Sequence, residues 1–157
     1  MVRHNLQFLH RIGGEILFVV FTFWEIIRIL AAEEFVMEPY KILAVDDDRT
    51  LLQLLSSELI NEGYETALAY DGTEALELLA KEIFDLIILD IKMPKLNGFD
   101  TLKHVKQHYP KTKVIMLTAY ADITNALESK RLGADGFIDK PYDLIELLTT
   151  INRILTE

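Results

Sequence analysis

The segment KILAVDDD, residues 41–48, places three carboxylates directly after a short apolar run. A run of this kind is expected of a strand that is covered on both faces. In open parallel sheets, ligands bind beyond the carboxyl ends of the strands. The segment therefore predicts a buried strand that ends in an acidic site.

The chain after this segment alternates regularly between helical and strand patterns. Leu52, Leu55 and Leu59, for example, recur at helical spacing before Gly63, a residue that commonly ends helices. The patterns predict strands over residues 41–45, 66–69, 85–89, 114–117 and 136–138, and helices over residues 50–62, 73–81, 99–108, 123–132 and 144–155. Such alternation favours an α/β fold with a five-stranded parallel sheet, helices on both faces and right-handed crossovers.

The composition is that of one compact acidic domain. The 157 residues include 16 Lys and Arg against 25 Asp and Glu, for a formal net charge of −9, and half of them are hydrophobic. A disordered polar chain is excluded by this apolar content, and the absence of Cys excludes a disulfide scaffold and suits a reducing cytosol. Because phosphate contacts need clustered Lys and Arg, we expect no direct nucleic-acid binding from this acidic chain. From the absence of Cys, we expect a cytoplasmic protein.

The N-terminal 36 residues differ from the rest of the chain. A nine-residue apolar run lies between Glu15 and Glu25, which is short for a membrane span of about 20 residues. Three interpretations stay open: an upstream extension before a domain that begins at Met37, a soluble packing helix, and a membrane segment or signal peptide. We expect residues 1–36 to be a hydrophobic extension, residues 37–157 to be the main domain, and a membrane role to be the least favoured.

Polar side chains follow four of the five predicted strands. Each one alone has an ordinary structural explanation as a helix cap, a turn residue or a solvated surface group. Because the carboxyl ends of parallel strands share one edge of the sheet, we expect these side chains to converge there. They are Asp46, Asp47 and Asp48 after the first strand, Asp90 after the third, Thr118 after the fourth and Lys140 after the fifth.

These groups suit phosphoryl transfer to a carboxylate. Crowded carboxylates repel each other unless a hard cation lies between them, and Mg²⁺ prefers such oxygen ligands. One carboxylate can then attack a phosphoryl group, while the cation, an ammonium and a hydroxyl stabilise the charge on the transferring oxygens. This chemistry assigns Asp46 and Asp47 to the metal and Asp90 to the nucleophile. Thr118 and Lys140 are assigned to the phosphoryl oxygens.

Four motifs in this order resemble the receiver domain of two-component response regulators. They are VDDD at 45–48, LDIKMP at 89–94, LTA at 117–119 and FIDKPY at 137–142, and Asn97-Gly98 follows the second of them. The resemblance covers residues 40–156. It implies a flavodoxin-like sheet with strand order 2-1-3-4-5.

The resemblance also implies a role for each matching residue at the metal site. Asp90 would be the phospho-acceptor and, with Asp47, a direct Mg²⁺ ligand. Asp46 would bind the ion chiefly through water, and the backbone carbonyl of Lys92 would complete the protein ligands. Asp48 has no essential role in the family and is expected to be a helix cap.

A second set of implied roles concerns signalling. Thr118 and Lys140 would contact the phosphoryl group, and Thr118 and Phe137 would form a switch pair. Phosphorylation would then change the face made by the fourth helix, the fifth strand and the fifth helix, where a target protein could bind. The Lys140-Pro141 bond is similar to a cis peptide bond of the family.

The resemblance implies a signalling domain and not an enzyme with a separate substrate. We expect a stand-alone receiver that accepts phosphate from a histidine kinase and acts as a switch or as a phosphorelay intermediate. In the relay case, its partner would be a histidine phosphotransfer protein. The segment at 116–122 is similar to sporulation-type relay receivers more than to chemotaxis receivers.

Three other classes of protein are alternatives to this interpretation. A haloacid-dehalogenase-like phosphatase needs a second Asp where this chain has Lys92. A flavodoxin-like electron carrier needs a hydroxyl- and Gly-rich phosphate loop where this chain has three carboxylates. The receiver fragment of a DNA-binding response regulator would look the same as a stand-alone receiver, and it stays open.

Overall fold

The computed structural model describes residues 5–12, 15–22, 38–119 and 123–156. Tyr120, Ala121 and Asp122, which end the segment likened to relay receivers, lie outside the described residues. The chain divides into two compact units, Met1–Glu38 and Pro39–Glu157.

The N-terminal unit contains an antiparallel pair of strands. Strand β1, Asn5–Ile12, pairs with β2, Glu15–Thr22, so that Ile12 lies opposite Glu15. The interpretation of this stretch as a packing helix is therefore wrong for residues 15–22. Its valines, isoleucine and phenylalanines favour strands, and a two-residue Gly-Gly connection between apolar runs favours a hairpin. Within the described ranges, no helix is long and apolar enough to cross a membrane.

The second unit is the predicted α/β fold. Its five parallel strands lie in the order β4-β3-β5-β6-β7, which is 2-1-3-4-5 within this unit, so the fold prediction is confirmed. The strands are β3 (Lys41–Val45), β4 (Glu65–Ala69), β5 (Leu86–Asp90), β6 (Lys113–Ala119) and β7 (Gly136–Lys140). The helices are α1 (Arg49–Asn61), α2 (Gly72–Leu79), α3 (Gly98–His108), α4 (Ile123–Arg131) and α5 (Leu144–Thr156).

The central strands are covered on both faces, as their apolar sequences predict. Successive strand residues point to opposite faces, so Ile42 packs with the layer of α1 and α5, and Leu43 packs with the layer of α2 and α3. All five residues of β5 are buried. This double packing fixes the position of β3 and β5, and with them the residues that follow at their carboxyl ends.

Candidate functional site

The candidate site lies where the strand order reverses, at the carboxyl ends of β3 and β5. These two strands are neighbours, and Val45 is in register with Leu89. Asp46 directly follows β3, and Asp90 is the last residue of β5. The sequence placed the end of this strand one residue earlier, and the added residue anchors the Asp90 backbone in the sheet.

Three carboxylates meet at this edge. Oxygen atoms of Asp46, Asp47 and Asp90 all lie within 4.8 Å of one another. Asp46 and Asp90 are buried, with 2% and 4% of their surface exposed, whereas Asp47 is exposed. The arrangement therefore has two fixed carboxylates on a rigid sheet and a third that faces solvent.

Asp48 points away from this group into the start of α1. Its side chain accepts hydrogen bonds from the backbone N–H groups of Thr50 and Leu51, both at 3.0 Å. The expectation that Asp48 is a helix cap is confirmed. Its own backbone N–H donates to Asp46 Oδ1 at 2.9 Å, so the cap also helps to orient the buried carboxylate.

Lys140 supplies the positive charge closest to the buried carboxylates. The residue ends β7, and its Nζ donates to Asp90 Oδ1 at 2.8 Å and to Asp46 Oδ2. The Lys140-Pro141 peptide bond is cis, as the resemblance implied. One ammonium thus faces three carboxylates, which leaves the group with an excess of negative charge.

The electrostatics of Asp90 reflect this crowding. Burial raises the pKa of Asp90 above its ordinary value, and the hydrogen bond from Lys140 only partly opposes the shift. Burial alone lowers the pKa of Lys140, but its hydrogen bonds to Asp46 and Asp90 outweigh that effect and raise it. The lysine therefore stays charged at neutral pH, whereas the charged form of Asp90 costs the folded state free energy.

Thr118 lies next to this group on β6. Its neighbour Leu117 is in register with Asp90 across the two strands. The residue is 1% exposed, and its Oγ1 has no hydrogen-bond partner among the described residues. A buried hydroxyl without a partner costs free energy, so it is most simply explained by a group that is bound there in another state.

Phe137 lies on the outer part of the sheet. It is on β7, opposite Met116, and half of its surface is exposed. A cavity of about 270 Å³ lies beside it, lined by Ser129, Lys130, Ala134, Asp135, Gly136, Phe137, Thr150 and Arg153. The ring is therefore outward in this structure, next to space on the surface formed by α4, β7 and α5.

Lys92 lies in the β5–α3 loop, residues 91–97, and is exposed. A backbone hydrogen bond from Lys92 reaches the Asp90 carboxylate and partly opposes the rise in the pKa of that group. The loop is closed by the Gly98 N–H, which donates to Ile91 O at 3.0 Å. A Cβ at Gly98 would lie 2.2 Å from Asp90 O, so only glycine allows this close return to the strand.

Sequence reasoning missed Asp71 and Lys95, which connect this loop to its neighbour. Lys95 Nζ donates to Asp71 Oδ2 at 2.5 Å. No local sequence pattern predicts this ion pair, because the two residues are 24 positions apart in the chain. The position of Asp71 two residues before the predicted helix at residues 73–81 is the signal that could have suggested a capping role.

The donor set fits a hard divalent cation. Three carboxylates lie within reach of one ion, two of them rigidly placed, and all the donor atoms are oxygens. A cation would offset the negative charge that Lys140 leaves uncompensated. Together with the order of the strands and the buried hydroxyl of Thr118, this acidic edge defines the α/β class that the sequence motifs predict.

The comparison with protein families agrees with this class. The model of the response regulator receiver domain matches residues 42–152. The chain therefore belongs to the response regulator receiver family, and the resemblance noted in the sequence is confirmed.

The curated relatives include regulators that are longer than this chain. The transcriptional regulatory protein CpxR of Escherichia coli (strain K12) is 47% identical over 115 residues, which are 73% of this chain and 49% of CpxR. The regulatory protein AtoC of the same strain is 39% identical over 115 residues, 73% of this chain and 25% of AtoC. The chain thus spans between a quarter and a half of these two relatives.

Solved structures of similar size match over nearly their full length. A putative response regulator from Chloroflexus aurantiacus has a TM-score of 0.73 and 34% identity, and the match covers 76% of this chain and all of that one. The chemotaxis protein CheY4 of Vibrio cholerae has a TM-score of 0.70 and 38% identity, covering 74% of this chain and 98% of its own.

Proposed function

We propose that this receiver accepts a phosphoryl group on Asp90 from a histidine kinase and passes the change on as a phosphorylation-dependent signal. The observation that carries the proposal is the position of Asp90. Its carboxylate is buried at the end of β5, bonded to Lys140 and clustered with Asp46 and Asp47. Since such kinases present phosphohistidine inside the cell, we place the chain in the cytoplasm.

The transfer is a displacement at phosphorus. A carboxylate oxygen of Asp90 attacks the phosphorus, a new P–O bond forms, and the P–N bond of the phosphohistidine breaks. The histidine nitrogen leaves with the bonding electron pair. The product is an acyl phosphate on Asp90, and it is this chain's own side chain that is modified.

Six groups of this chain would support that step. The carboxylates of Asp46, Asp47 and Asp90, with the Lys92 backbone carbonyl, would hold Mg²⁺. When bound, the ion neutralises charge on the phosphoryl oxygens. Lys140 lies at hydrogen-bond distance from the acceptor oxygen, so its ammonium can follow the phosphoryl group as a counter-charge. The unpartnered Oγ1 of Thr118 can donate to a phosphoryl oxygen.

The signal would leave the site through Thr118 and Phe137. Once the hydroxyl of Thr118 turns towards the phosphoryl group, it vacates space on the β6 side, and the ring of Phe137 can turn inward. This movement changes the α4–β7–α5 face, which carries the exposed apolar side chains Leu127 and Ile145. A target protein with an apolar contact surface would recognise that face.

The acceptor is tested by labelling with acetyl phosphate and Mg²⁺. We expect one acid-labile phosphate per chain on Asp90, located by mass spectrometry, and no label in Asp90→Asn. Asp85→Asn is a matched control, since Asp85 precedes the same strand at its other end and accepts from the Lys41 N–H at 2.7 Å. Equal labelling of Asp90→Asn and the wild type would disprove the assignment.

A second candidate is that this receiver works within a transcription regulator. The observation that favours it is the match to the transcriptional regulatory protein CpxR, of which this chain spans 49%. Intact-mass measurement of the natural protein distinguishes the two cases. A mass near 18.1 kDa supports a stand-alone receiver, switch or relay, and a mass larger by half or more supports the regulator.

A further inference from the structure

The β5–α3 loop contains a strained residue. Lys95 has a φ of 64°, in the left-handed region that a side chain with a Cβ rarely adopts. Such strain persists only where surrounding contacts impose it, and it is common at functional loops. Lys95 therefore needs a contact that outweighs the strain.

That contact is the ion pair with Asp71. The Asp71 carboxylate is largely buried, at 7% exposure, and lies just before α2. One of its oxygens caps α2 by accepting from the Glu74 N–H at 3.0 Å, and the other accepts from Lys95 Nζ at 2.5 Å. The hydrogen bond from Lys95 lowers the pKa of Asp71, as does the bond from Glu74. Both oxygens are thus used.

The next residue brings the two segments into direct contact. A Cβ at Gly72 would lie 2.2 Å from Thr101 Oγ1 and 2.6 Å from Leu96 O. Glycine at this position lets the start of α2 pack against the backbone of the β5–α3 loop. The ion pair and this close packing lie side by side, so together they fix the middle of the loop.

The fixed loop is the one that carries the Lys92 carbonyl. Its ends are held by the Ile91 N–H, which donates to Leu117 O at 3.1 Å, and by the bond from Gly98 to Ile91. Between these ends, Lys95 is the one loop side chain for which a described ion pair reaches another element of the unit. Movement of Lys95 would therefore be transmitted to Lys92, three residues earlier.

We propose that Asp71 and Lys95 form a positioning pair that holds the β5–α3 loop in its cation-binding conformation. The pair touches neither the cation nor the phosphoryl group. The pair acts through the Lys92 backbone carbonyl. This inference rests on the proposed function, in which that carbonyl binds the cation. Its chemical effect is to raise the affinity for a divalent cation.

The test compares variants that remove one charge each. Lys95→Met removes the ammonium, and Asp71→Asn removes the carboxylate charge while keeping a side chain that caps helices equally well. We expect each to raise the dissociation constant for Mg²⁺ by about tenfold, as for other groups that orient metal ligands. Lys103→Met is the control, because its pair with Asp100 is exposed and lies on α3. We expect it to bind Mg²⁺ as the wild type does.

A double variant and a glycine variant separate the pair from the strain. Asp71→Asn with Lys95→Met should weaken Mg²⁺ binding no more than either change alone, because both remove the same contact. Lys95→Gly relieves the left-handed strain but still lacks the ammonium, and it should also bind Mg²⁺ about tenfold more weakly. Wild-type affinity in Lys95→Gly would overturn the proposal.

A second measurement needs no cation. Hydrogen exchange in the metal-free protein should be faster at the amides of Ile91 and Gly98 in both charge variants, and unchanged in Lys103→Met. Unchanged exchange together with unchanged Mg²⁺ affinity would refute the positioning pair, even if Asp90 is labelled normally. Faster exchange in a protein whose Asp90 takes no label would support the pair and refute the proposed function.

Discussion

Two groups of carboxylates and lysines lie at opposite ends of the same sheet and have opposite charge balance. At the amino ends, Asp135 accepts from Lys106 Nζ at 2.6 Å and from the Val114 N–H at 2.8 Å, and Lys113 Nζ lies 3.7 Å away. At the carboxyl ends, the single ammonium of Lys140 faces three carboxylates. The first group is complete within the protein, and the second is not.

The difference separates a structural ion pair from a binding site. Asp135 connects β6, α3 and the start of β7, and it has enough donors for its oxygens. At the other end, burial raises the pKa of Asp90 despite Lys140, and the buried Oγ1 of Thr118 has no hydrogen-bond partner within the described part of the chain. At this edge the fold therefore tolerates unfavourable polar groups, which a cation and a phosphoryl group would satisfy.

The largest expected effect comes from removing the lysine of each group. Lys140→Met leaves Asp46 and Asp90 without their counter-charge, and we expect it to lower the free energy of unfolding by about 3 kcal/mol without Mg²⁺. Added Mg²⁺ should restore much of this loss. Lys106→Met should cost about 1 kcal/mol, with or without Mg²⁺. Chemical denaturation checks both, and an equal response to Mg²⁺ would remove the distinction between the groups.

The second comparison removes one carboxylate charge from each group. Asp135→Asn should lower the free energy of unfolding by about 2 kcal/mol, because charged hydrogen bonds are lost. Asp90→Asn should raise it at neutral pH, because a raised pKa means that the folded state disfavours the charged form. The same shift makes wild-type stability fall as pH rises through the range between the ordinary and the raised pKa.

Denaturation curves at several pH values test this second pair. The advantage of Asp90→Asn should be present above the raised pKa and should disappear below the ordinary carboxyl pKa, where Asp90 is protonated in both states. A variant that is less stable than the wild type at neutral pH would mean that Lys140 outweighs burial.

The third comparison tests the register within the acidic triplet. Asp47→Ala should barely change the stability of the metal-free protein but should abolish the stabilisation by Mg²⁺, which is about 2.7 kcal/mol when the ion is at 100 times its dissociation constant. Asp48→Ala should cost about 1 kcal/mol through the lost cap of α1 and should keep most of the Mg²⁺ response. Equal losses of the Mg²⁺ response would place the ligands one residue away.

The smallest effect is expected from the buried hydroxyl. Thr118→Val should raise the free energy of unfolding by about 1 kcal/mol, since it removes a buried hydroxyl that has no hydrogen-bond partner among the described residues. Thr101→Val is the matched control, because Thr101 Oγ1 donates to Asn97 O at 2.9 Å, and it should cost about 1 kcal/mol. On phosphorylation, NMR shifts on the α4–β7–α5 face should be reduced in Thr118→Val. Unaltered shifts there would rule out the switch through Thr118 and Phe137.

The apolar pattern was sufficient to predict the second unit. The apolar residues of β3 and β5 point to both faces of the sheet, and the segments between the strands have apolar residues at helical spacing. The parallel sheet and its buried core therefore follow from local periodicity.

The N-terminal unit was harder to predict from the sequence. Residues 16–21 are apolar throughout, and periodicity alone does not distinguish a buried helix from a strand in such a run. Gly13-Gly14 was the overlooked indication.

The apolar runs of the sequence predict the carboxyl ends of the strands to within two residues, and therefore which side chains could meet. Asp46, Asp90 and Lys140 follow apolar runs, and a parallel sheet brings such positions to one edge. The packing of the fold sets which contacts form between them: Lys140 bridges Asp46 and Asp90, and Lys95 reaches Asp71. These contacts depend on distances between residues far apart in the chain, and those distances are set by packing rather than by any local pattern.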